Sequence, residues 1–327
     1  MADEISLYIN FNDSSYIEGE EVSGNVICEL LDDLVIESLT LELYGYAKVK
    51  WPRPDSSQRS QPRHPFVLEE DYLNQRQILY KQGEKENEIL VQSGTHKYPF
   101  RIQLPNVLPS TFLAEHGGIE YWARVKLERP WKHNHTVKKR ITITSVVDLN
   151  SLPKMMTPVE LNSEEHQTVM CCTLGQIVCS WYLERIGYLP GETIHFKGEV
   201  KNNSGRSTKR SKVVLMQNVR YYDQSGKTFH ERKTLAMVSK GQVRARSTDR
   251  WKEKIKIPLD LPPTGLKSCS LIDLYYTLKF KVTVNRVQKI TTNTDIVIGT
   301  IGLNQESPFS AEDSPAEPEV VDISYFV

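Results

Sequence analysis

The chain has 327 residues, 25% charged and 39% hydrophobic, with 41 basic side chains against 41 acidic ones. That length favours about two domains, the composition is that of an ordinary globular protein rather than a disordered one, and the zero net charge argues against a dedicated nucleic-acid binder. No apolar run approaches the roughly 18 residues that a membrane-spanning helix needs.

The acidic Met1-Ala2-Asp3-Glu4 leads straight into the alternating Ile5, Leu7, Ile9 and Phe11, without the basic and apolar regions of a signal peptide. Five cysteines (Cys28, Cys171, Cys172, Cys179 and Cys269) form an odd set with no framework spacing, as expected in a reducing compartment. A cytoplasmic chain is expected. Next comes Tyr16-Ile17-Glu18-Gly19-Glu20, a turn that launches a strand through Gly24-Asn25-Val26. It recurs as Tyr188-Leu189-Pro190-Gly191-Glu192, leading to Gly198-Glu199-Val200. A second echo aligns residues 119–127 with 272–280, and two echoes in the same order predict a duplicated chain.

Period-two alternation follows at Leu39-Leu41-Leu43, Phe100-Ile102-Leu104, 119–127, Ile141-Ile143, 194–200, 213–222, Ile255-Ile257 and 274–284. Residues 72–82 fit either a short helix or a strand, and 51–65 read as an inserted loop rich in Pro, Ser and Arg. Many short strands without intervening helices predict an all-β chain of two tandem antiparallel β-sandwiches, because a sheet with one apolar face must bury it against another. The expected division is a first sandwich at 1–150, a polar linker at 151–167, a second sandwich at 168–303 and a disordered acidic tail at 304–327. The tail holds six acidic residues and no Lys or Arg, so the remaining body carries +6.

The motifs resemble those of the arrestins, and within them the α-arrestins or arrestin domain-containing proteins. The first half carries Tyr16, Gly19, Glu20, Val22, Gly24 and Val26 in one pattern, then Gly45-Tyr46-Ala47-Lys48-Val49-Lys50-Trp51, Ser93-Gly94 with His96, Tyr98 and Phe100, and Tyr121-Trp122 leading to Arg129-Pro130-Trp131. The second carries Cys171-Cys172, Gly175, Glu184-Arg185, Gly187-Tyr188, Pro190-Gly191-Glu192 and Ile298-Gly299-Thr300-Ile301. The resemblance implies the arrestin fold and a non-enzymatic adaptor, peripheral to membranes, that binds receptors or transporters and steers them through endocytosis and endosomal sorting, with recruitment to the plasma membrane and endosomes. It also implies a HECT-type ubiquitin ligase recruited through Pro-Pro-x-Tyr motifs. This sequence departs there, since its one Pro-Pro pair, Pro262-Pro263, is followed by Thr264-Gly265.

Among candidate sites, Lys201, Arg206, Lys209, Arg210, Lys212 and Arg220 occur in a stretch without an acidic residue, the composition that grips phosphorylated or acidic cargo tails. A solvated loop is the bland alternative. Lys138, Lys139 and Arg140, with Lys132, form a second basic set. Arg59, Pro62 and Pro65 fit a polyproline ligand for an SH3 domain, and Tyr325-Phe326-Val327 could add a strand to a PDZ domain. These two peptides support an alternative reading, an arrestin-fold signalling scaffold without cargo sorting. Cys171, Cys172 and Cys179 near His166 lack the paired spacing of a zinc site and read as free thiols, and His133 and His135 have no third ligand. There is no Gly-x-Ser-x-Gly or His-Glu-x-x-His, and Gly226-Lys227-Thr228 lacks the preceding glycine of a phosphate loop. No catalytic site, metal or cofactor is expected.

Overall fold

Alternating apolar and polar side chains make the chain extend and pair, and strands account for nearly all regular structure in the computed structural model, which describes residues 5–51, 66–81, 90–169, 172–223 and 226–304. The first half contributes β1 (Ile5–Phe11), β2 (Tyr16–Ile17), β3 (Glu21–Leu30), β4 (Leu34–Val35), β5 (Ser38–Trp51), β6 (Phe66–Lys81), β7 (Leu90–Val91), β8 (Gly94–Gln103), β9 (Phe112–Ala114), β10 (Gly117–Glu128), β11 (His135–Ile141) and β12 (Ile143–Thr144). The second contributes β13 (Val159–Val169), β14 (Cys172–Leu183), β15 (Gly187–Tyr188), β16 (Thr193–Asn202), β17 (Arg210–Tyr222), β18 (Thr228–Lys240), β19 (Ser247–Lys256), β20 (Ile272–Thr283) and β21 (Lys289–Ile298).

Each half is a sandwich. Sheet β1-β3-β8 faces β11-β10-β5-β6 in the first, and β13-β14-β16-β19 faces β15-β21-β20-β17-β18 in the second. Alternation fixes which face is inside: Val22, Val26 and Cys28 of β3 are buried with Leu39, Leu41 and Leu43 of β5 and Ala123, Val125 and Leu127 of β10. In the second half Trp181 stacks on Phe280 at 4.7 Å and meets Trp251 edge-on at 5.4 Å, a geometry that aromatic quadrupoles favour.

The duplication is visible down to single hydrogen bonds. Glu20 and Glu192 accept the backbone N–H of Ile17 and Leu189 at 2.7 and 2.8 Å. Gly19 and Gly191 sit at φ +81° and +83°, where a side chain would be strained. The short strands opening these turns, β2 and β15, each pair in parallel with a late strand of their own half, β12 and β21.

One open alternative is resolved and two expectations are corrected. Residues 72–81 are all strand, within β6, and two register irregularities against β5 explain their mixed periodicity. The stretch expected as linker is loop only at first, with a 3-10 turn at Leu149–Ser151, and from Val159 it is β13, the edge of a sheet. As an edge strand β13 pairs on one side only, so its polar sequence concealed it. The echo of 119–127 in 272–280 is out of register by two: Tyr121 matches Tyr276, since both hydroxyls donate to a proline carbonyl, Pro109 and Pro262, at 2.7 Å. A shift of two leaves every side chain on its face, so alternation does not reveal it.

Candidate functional site: a basic face on the second sandwich

On the outer face of β17-β20-β21, Lys212 lies directly opposite Lys281, and Arg210 opposite Thr283, which in turn faces Lys289. Lys279 is two residues before Lys281 on the same face. Burial first, then the charges of Lys289, Lys212, Lys279 and Arg210, push the Lys281 ammonium below the ordinary lysine range. Among the described residues none of the five has a carboxylate partner within ion-pair distance. Two carboxylates lie further along this face: Asp295, which accepts the Thr277 hydroxyl at 2.9 Å, and Asp273, which lies opposite Arg220. Like charges opposed across strands destabilise a sheet by several tenths of a kcal/mol, about 0.2–1, and a bridging anion would reverse the sign of that interaction.

The structure divides the six basic residues that the sequence grouped. Arg210 and Lys212 join the cluster, and the Lys209 N–H donates to the Thr283 carbonyl at 2.7 Å, anchoring the approach to it. Arg206 lies in the same connection, its carbonyl accepting from Asn202 at 2.9 Å. Lys201 is on β16, in the opposite sheet, facing Thr248. Arg220 is eight residues along β17 from Lys212, roughly 26 Å at 3.3 Å per residue, with its guanidinium 5.4 Å from the Tyr275 ring. Lys279, Lys281 and Lys289 were missed because they are distant in sequence. The alternation Lys279-Phe280-Lys281 is the signal that could have found them.

The second basic set does not share one face either. Lys138 lies 5.9 Å from the Tyr44 ring, and Arg140 lies 4.9 Å from the Trp122 ring and pairs with Glu120 at 2.7 Å. Lys139, one position between them, turns to the other side, donates to the Ile9 carbonyl at 2.8 Å and covers Phe11. Burial pushes the Cys179 thiol up to about 12, so it remains protonated rather than a ready thiolate ligand. Arg59, Pro62, Pro65, Tyr325, Phe326, Val327 and Cys171 lie outside the described residues.

The two sandwiches meet through polar and aromatic contacts. The Lys267 ammonium donates to Glu18 Oε1 at 2.9 Å, and Glu18 also accepts the N–H groups of Leu108 and Val146 at 2.9 and 2.8 Å. Burial opposes its ionisation, but the Leu108, Lys267 and Val146 hydrogen bonds outweigh that and hold the carboxyl below its usual range. Ser270 donates through N and Oγ to Glu70 at 2.9 and 3.0 Å, and His116 meets Phe229 edge-on at 4.7 Å. Beside this seam a cleft of about 370 Å³ is lined by Thr111, Ile143, Pro190, Leu259 and Pro262 among others. No helix among the described residues is long and apolar enough to cross a membrane.

The model of the arrestin (or S-antigen) N-terminal domain matches residues 5–150, and that of the arrestin C-terminal domain matches residues 173–303. Arrestin domain-containing protein 17 of Caenorhabditis elegans is 31% identical over 313 residues, covering 91% of this chain and 71% of the relative. Arrestin domain-containing protein 4 of Homo sapiens is 33% identical over 293 residues, covering 88% and 69%. Thioredoxin-interacting protein of Homo sapiens is 25% identical over 325 residues, covering 98% and 81%.

Proposed function

Since the chain belongs to the arrestin family, whose members are non-enzymatic adaptors, we propose that it is an adaptor that holds acidic or phosphorylated segments of membrane receptors or transporters and directs their endocytosis and endosomal sorting. The observation that carries this reading is the unpaired cluster Arg210, Lys212, Lys279, Lys281 and Lys289. Guanidinium and ammonium groups give charge-assisted hydrogen bonds to phosphate and carboxylate, and an exposed sheet face lets an extended peptide lie across several of them. On this reading the protein works in the cytoplasm and is drawn to the plasma membrane and endosomes by its cargo.

Ubiquitination of that cargo is a finer part of the proposal. These 327 residues contain no Pro-Pro-x-Tyr, so within them there is no such motif through which a HECT-type ligase would be recruited directly. Affinity purification of the intact protein from detergent-solubilised membranes tests the reading. Receptors or transporters recovered with wild type and depleted with a Lys212→Gln/Lys281→Gln variant are expected; the same recovery with both would overturn it.

A further inference from the structure

The other sheet of the second sandwich, β13-β14-β16-β19, carries on its outer face a set of cations that cargo binding leaves unused. Ile194 and Phe196 of β16 and Trp251 and Ile255 of β19 are buried, so alternation turns His195, Lys197, Lys252 and Lys254 outward, where all four are exposed. Pairing then sets them face to face: Lys197 lies directly opposite Lys252, and His195 opposite Lys254. Side chains so opposed start about 5 Å apart, and successive rows lie about 7 Å apart along the strands, so the four form one small square.

Two explanations without a ligand fall short. Lysine on an edge strand repels other strands, which accounts for Lys252 and Lys254 of β19 but not for Lys197, on the interior strand β16. Ion pairing does not hold them either. Among the described residues none of the three lysines has a carboxylate within ion-pair distance, and the Lys197 ammonium lies instead 5.8 Å from the centroid of the Tyr182 ring. Like charges directly opposite destabilise a sheet, yet here they surround a cleft of about 530 Å³ that Tyr182 and Glu184 also line.

Carboxylates bound this square and decide the shape of what fits it. Glu184 closes one side of the cleft, Glu160 lies beyond Tyr182 in the row of Lys197, and in the next row Glu199 pairs with Arg250 at 3.1 Å. Glu253 turns to the other side of β19, 3.8 Å from Lys240, and Lys256, opposite Thr193, keeps the remaining side basic. A peptide laid across the strands would run onto Glu160 or Glu184, and one laid along them onto Glu199, whereas a compact anion stays among the cations. Ammonium groups bind phosphate oxygens through charge-assisted hydrogen bonds, and the His195 ring and Tyr182 hydroxyl are further donors.

We propose that this cleft binds a compact polyphosphate, an anion with two or more phosphate groups on a small scaffold, through Lys197, Lys252, Lys254 and His195. This goes beyond cargo recognition, because the ligand is small and the sheet is the one opposite the peptide face. The test is titration calorimetry of the full chain with orthophosphate, pyrophosphate and tripolyphosphate at low salt, in a Lys212→Gln/Lys281→Gln background that removes the central pair of the peptide face.

Affinity should rise from orthophosphate to tripolyphosphate, and adding Lys197→Gln/Lys252→Gln should weaken tripolyphosphate about tenfold, as expected for losing hydrogen bonds to a charged group. Those substitutions also remove a like-charge pair, so Tm should not fall. Glu184→Gln, which keeps every lysine, should tighten binding about twofold. Equal affinity with and without Lys197 and Lys252, equal affinity for orthophosphate and tripolyphosphate, or no tightening in Glu184→Gln would overturn the proposal. Flotation with phosphatidate vesicles, against phosphatidylglycerol vesicles, assigns the source: recovery on phosphatidate that is lost in Lys197→Gln/Lys252→Gln supports the site with a phosphomonoester headgroup as its ligand, and tripolyphosphate binding without vesicle recovery supports it with a soluble one. None of these residues belongs to the peptide face, so failure of either proposal leaves the other standing.

Discussion

The turn at Tyr16 and its copy at Tyr188 share a backbone and differ in one side chain that decides what each does. In both, the tyrosine is buried, the glycine has positive φ and donates its N–H to a proline carbonyl, Pro105 or Pro258, and the glutamate closes the turn. The middle position is Glu18 in one and Pro190 in the other. The Glu18 side chain, 4% exposed, reaches across to Lys267 of the other sandwich, whereas Pro190 lines the cleft beside the seam and carries no charge. Duplication therefore preserved the part that builds a sandwich, and one copy alone acquired the group that joins the two.

The largest expected effect breaks the structural half of this comparison. A Cβ added at Gly45 would lie 2.1 Å from the buried Tyr121 ring, whereas the matching position against Tyr276 is filled by Gln217. Gly45→Val should cost about 3 kcal/mol through overpacking and Gln217→Gly only about 1, both read from urea denaturation midpoints. Next is the seam. Glu18→Ala leaves the Leu108 and Val146 N–H groups without their acceptor and should cost about 2 kcal/mol, while Pro190→Ala should cost well under 1. Equal losses at the two positions would mean that Glu18 does not join the sandwiches.

The smallest effects are electrostatic. Lys267→Met, at a partly exposed pair, should cost about 1 kcal/mol or less. The Glu18 carboxyl is held below its ordinary value of 4.5, so its contribution is complete above that pH and is lost as pH falls through the lower folded-state value. The stability gap between wild type and Glu18→Gln should therefore be constant near neutrality and shrink below about pH 4.5. A gap that widens on acidification would reverse the assigned sign.

Much of this was legible in the sequence because alternation and turn chemistry are local. The tandem sandwiches, the repeated turn and the family followed from residues a few positions apart. Register did not: Tyr121 matches Tyr276 rather than Leu274, and a shift of two is invisible to a period of two. The basic site was half legible for the same reason. Arg210 and Lys212 were found, but sequence proximity also gathered Lys201 and Arg220, which the crossover between β16 and β17 and the length of β17 place in another sheet and at the far end of β17. Their true neighbours, Lys279, Lys281 and Lys289, arrive only through cross-strand pairing.

The central claim is that the β17-β20-β21 face binds anionic peptide. Its most direct test is fluorescence anisotropy of a labelled peptide bearing clustered phosphoserines and glutamates, titrated with the full chain at low and physiological salt. The account predicts saturable binding that weakens with salt, falls about tenfold (~1.4 kcal/mol) in Lys212→Gln/Lys281→Gln and is unchanged in Lys201→Gln. Equal affinity for wild type and the double variant would contradict it.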